Sequence, residues 1–348
     1  MSKQMETLVW LGPRTMEMQA TPVPELQPGE VLVAVGAAGI CGSELSGYLG
    51  QNSLRKPPLV MGHEAAGRIA AVTSGAALHD GSPAREGMRV TFNPLISCGQ
   101  CDRCRANHAN LCRQRQIIGI HRPGAFARFV AVPAALCYPL PDHLSDELGS
   151  LTEPLACSVR AVSLAQLRPE QTLLILGAGP IGLFCLVAAR ALGITSVFIS
   201  DMSPSRLEIA RRWGAQEAIN VRERDLLATV RELAPGGVDA VIDAVGADAT
   251  RGQAVQAVVP GGRVVFIGLH EETSPLAANY LIRQEISIAG SFGYTAADFE
   301  RAFALLTQGA IQPGADWLEE RPLAEGAAAF AELVAGTVAA TKIVLHVG

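Results

Sequence analysis

The run Leu173-Leu174-Ile175-Leu176-Gly177-Ala178-Gly179-Pro180-Ile181-Gly182 decides the fold. Four apolar residues read as a buried strand, the glycines as a turn, and the apolar stretch beyond them as a buried helix. The glycines match G-x-G-x-x-G. In a chain with 35 glycines the match alone is weak, but a strand before it and a helix after it form the context in which the motif cradles a dinucleotide. Gly177 permits the tight turn, Gly179 lets the backbone approach a pyrophosphate, and Gly182 lets the helix pack close to the strand. Free N–H groups and the positive dipole end at the helix start suit phosphates. Asp201 ends the next apolar run, nineteen residues after Gly182. A carboxylate there accepts the ribose hydroxyls and repels a 2′-phosphate, which favours NAD over NADP. Arg206 could stack on adenine or pair with a 2′-phosphate, so both cofactors stay open.

Working outward, apolar runs alternate with helical periods. The expected strands are Leu173–Leu176, Val197–Ser200, Ala218–Val221, Ala240–Asp243, Val264–Ile267 and Ile286–Ala289. Helices are expected near Ile181–Leu192, Ser205–Trp213, Asp225–Leu233, Ala249–Val258 and Ala296–Leu306. Six strands with helical crossovers predict an α/β domain built on a doubly wound parallel sheet. The first ~150 residues differ: short β-type runs such as Glu30–Val35, Ala66–Val72 and Phe126–Val132 stand among glycines and prolines, an irregular β domain. Lys342-Ile343-Val344-Leu345 reads as a last strand that returns to it.

Composition narrows the function classes. The 348 residues are too many for one core, so two domains are expected. A net charge of −5 argues against a nucleic-acid or anionic-membrane surface. Thr172–Ala189 is uncharged over eighteen residues, the least that spans a bilayer, but Gly177, Gly179 and Pro180 interrupt it. Met1–Gly12 holds no long apolar run and is not read as a signal peptide. Cys41, Cys137, Cys157 and Cys185 are therefore expected to be reduced, and the protein cytoplasmic.

The other four cysteines, Cys98, Cys101, Cys104 and Cys112, fall in fifteen residues with spacing C-x2-C-x2-C-x7-C. Tetrahedral zinc takes up the charge of four bunched thiolates and keeps no open position, so this is a structural site. Arg103, Arg105, Arg113 and Arg115 surround it; a nucleic-acid-binding zinc module is the competing reading, and the acidic chain weighs against it. A second constellation holds Gly39-Ile40-Cys41-Gly42-Ser43-Glu44, Gly62-His63-Glu64 and Glu153-Pro154. A thiolate, an imidazole and a carboxylate give zinc three ligands and an open fourth position, but spacing alone cannot assemble residues more than a hundred apart.

These motifs, in this order, resemble the zinc-dependent medium-chain alcohol dehydrogenases, nearest to the sorbitol, polyol and threonine dehydrogenase branch. The resemblance covers almost the whole chain. It implies a GroES-like catalytic domain over residues 1–154 with the zinc lobe at 97–113, a Rossmann NAD-binding domain over 155–290, and a return to the catalytic domain over 291–348. It implies two zincs per chain and NAD. Cys41 and His63 become ligands of the catalytic zinc, with Glu64 or Glu153 as the third. If His63 and Glu64 lie in extended chain, their side chains point to opposite faces, which favours Glu153; sorbitol-dehydrogenase-like sites use the position of Glu64. Ser43 takes the alcohol proton. Gly177, Gly179, Pro180, Ile181, Gly182, Asp201, Arg206, Ile267, Gly268, Leu269, Phe292, Gly293 and Tyr294 are expected against the cofactor, and Tyr48, Leu49, Phe92 and Tyr294 around the substrate.

The implied reaction is reversible, NAD-linked oxidation of a secondary alcohol, diol or polyol, including sugar alcohols and their phosphates, to the ketone. An L-threonine 3-dehydrogenase-like or an NADP-dependent alcohol dehydrogenase is the alternative. A zinc-free quinone reductase of the same superfamily lacks both metal constellations. Family members form dimers or tetramers, so a homodimer or homotetramer is expected. Three departures stand out. Glu44 replaces the usual Asp beside the ligand histidine, Ser46 stands where a proton-path histidine is common, and no arginine precedes Tyr294.

Overall fold

The computed structural model describes residues 4–347. Two compact units divide at Glu153/Pro154 and at Leu305/Leu306, the second unit being the inserted stretch. Residues 291–305, expected to return to the first domain, stay with the second unit; their helix, Ala296–Thr307, begins beside Tyr294, whose ring packs 5.4 Å from Phe299.

In the first unit the sheet runs, in spatial order, Cys137–Pro139, Arg89–Phe92, Glu64–Val72, Glu30–Gly39, Lys342–His346 and Leu318–Pro322; Phe129–Pro133 also pairs with Glu30–Gly39. Glu30–Gly39 is the hub, antiparallel to three strands, and eight of its ten residues are buried. The last strand docks with Val344 opposite Gly39 and Leu345 opposite Ala38. Its apolar side chains Ile343 and Leu345 join Phe126, Phe330, Leu8 and Val33 in one core. Phe92 is fully buried in that core and Tyr48 nearly so, with its hydroxyl bonded to Arg14 O at 3.1 Å. Neither is a free pocket wall, which corrects the expectation for both.

In the second unit all six strands are parallel. Counted in chain order from Leu173–Leu176, through Val197–Asp201, Glu217–Asn220, Val238–Asp243 and Val258–Phe266 to Ser287–Gly290, their spatial order is 3-2-1-4-5-6. That is the dinucleotide-binding order, whose crevice opens beyond the carboxyl ends of the strands where the winding reverses. Leu173–Leu176 is buried at every position, as a central parallel strand covered on both faces must be. The helix after it, Pro180–Ala191, starts with proline at its first position, where no N–H is needed, and buries eight residues. Among the described residues no helix is long and apolar enough to cross a membrane.

Candidate metal and dinucleotide sites

Cys41 caps a short helix, Gly42–Tyr48, and Glu44 at its third position reaches back to the Cys41 N–H at 3.1 Å. That return bond is half of a capping box, and it places the cysteine and the glutamate on one side of the helix start. The other Glu44 oxygen accepts from Gly62 N at 2.8 Å and meets His63 Nδ1 at 2.8 Å. Glu44 is fully buried. It therefore fixes the His63 ring through Nδ1 and leaves Nε2 as the free donor atom.

Cys41, His63 and Glu64 each offer one ligand atom, and these three atoms lie within 4.8 Å of one another. Glu153 is buried in the first turn of the helix Thr152–Ala165, outside that group. The alternation argument that favoured Glu153 is thus corrected. The strand starts at Glu64, so His63 precedes it, and Gly62 turns the chain at φ +101°. Only glycine adopts that turn here without strain, and an added Cβ would lie 2.7 Å from Phe126 N. Side chains of neighbouring residues outside a pleated strand need not oppose each other.

Glu64 also pairs with Lys342, the first residue of the last strand, whose Nζ donates to Ile40 O at 2.8 Å as well. Both side chains are almost wholly buried. Breaking such a pair by removing one partner costs about 3–5 kcal/mol, because the other charge stays buried and alone. The second carboxylate oxygen, Glu64 Oε1, is buried with no hydrogen-bond partner. A buried orphan oxygen beside a thiol and a histidine nitrogen fits a cation with borderline-soft preferences, as zinc has.

The electrostatics agree. Burial works against charging His63, yet Glu44 and Cys41 hold its pKa well above the ordinary imidazole value. Burial works against Glu44 too, but His63 and Arg55 keep its carboxyl below the usual range. Lys342 is likewise opposed by burial and raised by Glu64 and Cys41. Without a metal, the carboxylates of Glu44 and Glu64 are thus balanced by the neighbouring bases His63, Arg55 and Lys342.

The four lobe cysteines form a second group within the same 4.8 Å limit. The sulfur separations are 3.9 Å for Cys98–Cys104, 3.6 Å for Cys101–Cys104 and 3.9 Å for Cys101–Cys112. A tetrahedron with metal–sulfur bonds of about 2.3 Å has an edge of about 3.8 Å, so the sulfurs already stand where zinc would hold them. None of the eight cysteines is joined in a disulfide. The backbone N–H groups of Cys104 and Arg113 lower Cys101 to about 6, whereas burial and the neighbouring sulfurs push Cys104 up to about 11. Four thiols so close cannot all ionise unless a cation joins them.

In the second unit Gly177 turns at φ +94°, and a Cβ on Gly182 would collide with the Gly177 carbonyl. Asp201 Oδ2 accepts from Ala178 N at 2.7 Å and Oδ1 from Ser203 N at 2.8 Å, so the carboxylate is held beside the glycine turn. Arg206 lies three residues on from the Ser203 cap of the next helix, half-buried. Ile267 and Gly268 follow the fifth strand, and both N–H groups donate to Asp243 O. Leu269 is 72% exposed and Phe292 38% exposed, whereas Tyr294 is buried against Phe299. Gly293 between them has φ +52°. Buried in its own unit, Tyr294 offers little surface to a cofactor.

Sequence reasoning overlooked three residues. Asp243, fully buried, accepts from Val245 N at 2.9 Å and Gly246 N at 3.0 Å, and so shapes the loop whose Val245 methyl abuts Gly177. Lys342 could have been suspected as a lone charge opening an apolar strand. Arg55 gave no signal beyond being one arginine in a loop.

Comparison with known proteins agrees with this geometry. Residues 27–142 match the family model of the alcohol dehydrogenase GroES-like domain, and residues 180–308 match that of the zinc-binding dehydrogenases. The chain is 33% identical to the sorbitol dehydrogenase of Bacillus subtilis (strain 168), over 89% of this chain and 88% of that protein. It is 36% identical to L-idonate 5-dehydrogenase of Vitis vinifera, over 82% of this chain and 79% of that protein. Among solved structures, an alcohol dehydrogenase of Escherichia coli CFT073 complexed with NADH superimposes with a TM-score of 0.90 at 28% identity, covering 99% of this chain and all of that one.

Proposed function

Because the chain belongs to the zinc-dependent medium-chain alcohol dehydrogenases, with zinc and NAD as cofactors, we propose that it oxidises a secondary hydroxyl of a polyol or diol reversibly to the ketone. The observation that carries this reading is the convergence of Cys41, His63 and Glu64 within 4.8 Å, with the Ser43 hydroxyl 3.3 Å from Cys41 Sγ. The curated relatives named above act on polyols or related sugar acids, by their names, and support the substrate class.

In this reading Cys41, His63 and Glu64 hold the catalytic zinc, and the four lobe cysteines a structural one. When bound, zinc supplies Lewis acidity toward the alcohol oxygen and NAD accepts the hydride. The protein's residues do the rest. Glu44 keeps Nδ1 of His63 protonated, so that Nε2 faces the metal as a neutral donor. Lys342 balances the Glu64 charge and holds its carboxylate in place. Ser43 Oγ receives the alcohol proton and passes its own onward. Gly177, Gly179 and Gly182 let the backbone approach the pyrophosphate, and Asp201 accepts the ribose hydroxyls, which favours NAD over NADP.

The same reading makes the protein a cytoplasmic homo-oligomer. Eight cysteines with no disulfide among them suit a reducing compartment. Ser287–Gly290 is an edge strand of the parallel sheet, and Ile282 (73% exposed) and Leu269 (72% exposed) are exposed apolar residues of the same unit; a sheet edge and exposed apolar side chains suit a second copy of this chain.

The test is NAD reduction across a panel of polyols, vicinal diols, sugar phosphates and L-threonine, with NADP in parallel. Turnover with a polyol or diol and NAD is the expected outcome. Zinc-replete protein that reduces NAD only with L-threonine, or with none of these substrates, contradicts the proposal.

A further inference from the structure

Arg55 is 3% exposed, in the loop between the helix Gly42–Tyr48 and the strand Leu59–Val60. Its fork closes on one residue: Nη1 donates to Ser43 O at 3.0 Å and Nη2 to Ser43 Oγ at 3.3 Å. The stem lies across Gly47, where an added Cβ would stand 2.5 Å from Cδ and 3.2 Å from Nε. Arg55 Nε is buried without a partner. A glycine inside a helix, an orphaned N–H and a buried guanidinium each cost stability. All three occur together where they bring one fixed positive charge to the Ser43 hydroxyl.

We propose that Arg55 is a positioning residue for proton transfer: it orients and polarises Ser43 so that the serine proton leaves as the alcohol proton arrives. This rests on the relay role given to Ser43 above. A hydroxyl has one proton and two lone pairs. The Arg55 N–H occupies one lone pair, and the serine proton points to Cys41 Sγ in this structure. One lone pair is then left for the incoming proton. A guanidinium does not deprotonate in proteins, so Arg55 cannot itself carry the proton. Its charge makes a doubly protonated serine oxygen costly and a partly negative one easier to form. The Ser43 O–H turns from Cys41 Sγ toward water; the alcohol O–H bond breaks as its proton bonds to Ser43 Oγ, the original Ser43 O–H bond breaks as that proton passes to water, and the hydride leaves carbon with its electron pair for NAD. Ser46 stands where a histidine base is common in the family, so at that position no titrating base receives the serine proton, and its departure to water depends on how Arg55 holds and polarises the hydroxyl.

The experiment compares single-turnover NADH formation in H2O and D2O for the zinc-loaded wild type, Arg55→Met, Arg55→Lys, Ser43→Ala and the Ser43→Ala/Arg55→Met double variant. Zinc content, melting temperature and NADH affinity are measured alongside. Arg55→Met should slow the step by about tenfold or more, a part of the roughly 10²–10⁴-fold that a positioned proton-transfer group contributes as a whole. Its solvent isotope effect should rise, while alcohol KM, NADH affinity and zinc content stay near wild type. Arg55→Lys, which keeps the charge, should lie between the two and answers the question if Arg55→Met does not fold. In the Ser43→Ala background the Arg55 change should lose most of its effect. An unchanged isotope effect in Arg55→Met and Arg55→Lys, or an equal loss with and without Ser43, overturns the proposal and leaves Arg55 a packing residue. Near-normal turnover in Ser43→Ala overturns the relay itself, and that result is visible without reference to Arg55.

Discussion

Replacing Glu44 by glutamine changes one atom and tests how the metal centre is held. Glu44 Oε1 serves both Gly62 N and His63 Nδ1, at 2.8 Å each, and Oε2 serves Cys41 N at 3.1 Å. A glutamine can keep its carbonyl oxygen toward Gly62 and His63. Its amide then points N–H groups at the Cys41 N–H, donor against donor. Leaving that part-buried N–H unpaired costs up to about 1–3 kcal/mol, the figure for a fully buried group. The lost negative charge also weakens the hold on His63 as a basic ligand. Loss of such an outer partner lowers metal affinity by about 10–100-fold, equivalent to about 1.4–2.8 kcal/mol of binding. Zinc affinity of Glu44→Gln, measured by chelator competition against wild type, should fall within that range, and the melting temperature of the zinc-loaded protein should drop. Wild-type zinc affinity in a folded Glu44→Gln protein would refute the role given to Glu44. Glu44→Asp, the residue common in the family, should weaken zinc as well. Shortened by a methylene, it cannot span Cys41 N and His63 Nδ1 at once.

Three further outcomes follow from the structure. Cys112→Ser, at the fully buried lobe sulfur, should remove one zinc per chain by metal analysis and lower thermal stability, while the Cys41 site keeps its metal. Asp201→Ala should cut kcat/KM for NAD about tenfold or more and narrow the NAD/NADP ratio, since the carboxylate both accepts the ribose hydroxyls and repels a 2′-phosphate; an unchanged ratio would show that cofactor choice lies elsewhere. Zinc-free protein should lose stability as pH rises. The His63 pKa is raised in the fold, so its contribution is fully present below the unfolded value near 6.5 and disappears as pH climbs through the folded one. Zinc-loaded protein, whose His63 binds metal as the neutral ring, should lack that slope in a thermal-melt pH series.

What the sequence disclosed and what it hid divide along a physical line. The parallel sheet was legible because each strand is a local apolar run and the glycine turn at Gly177 has its own steric signature; its element ends shifted by at most two residues, except for six at the start of the fifth strand, Val258 instead of Val264. The lobe was legible because its four sulfurs lie within fifteen residues. The choice between Glu64 and Glu153 was not, because it turned on whether His63 lies inside a strand. The Gly62 turn, set by contact with Phe126 and Ala125, decides that it does not. Lys342 reaches Glu64 across 278 residues of chain, a pairing created by docking of the last strand and written in no local pattern. Arg55 depends on the space over Gly47, which only the folded helix reveals. Tyr294 looked like a site residue through resemblance, but the core of its own unit claims it.

The most direct test of the account is metal analysis of Cys41→Ser. With the sulfur replaced by a weaker hydroxyl ligand, zinc should fall from two to one per chain, the lobe zinc should remain, and NAD reduction should vanish while the protein stays folded, its melting temperature lowered only by the stabilisation that the lost zinc had supplied. Two zincs per chain and undiminished turnover in Cys41→Ser would show that the chemistry is not centred on Cys41, His63 and Glu64.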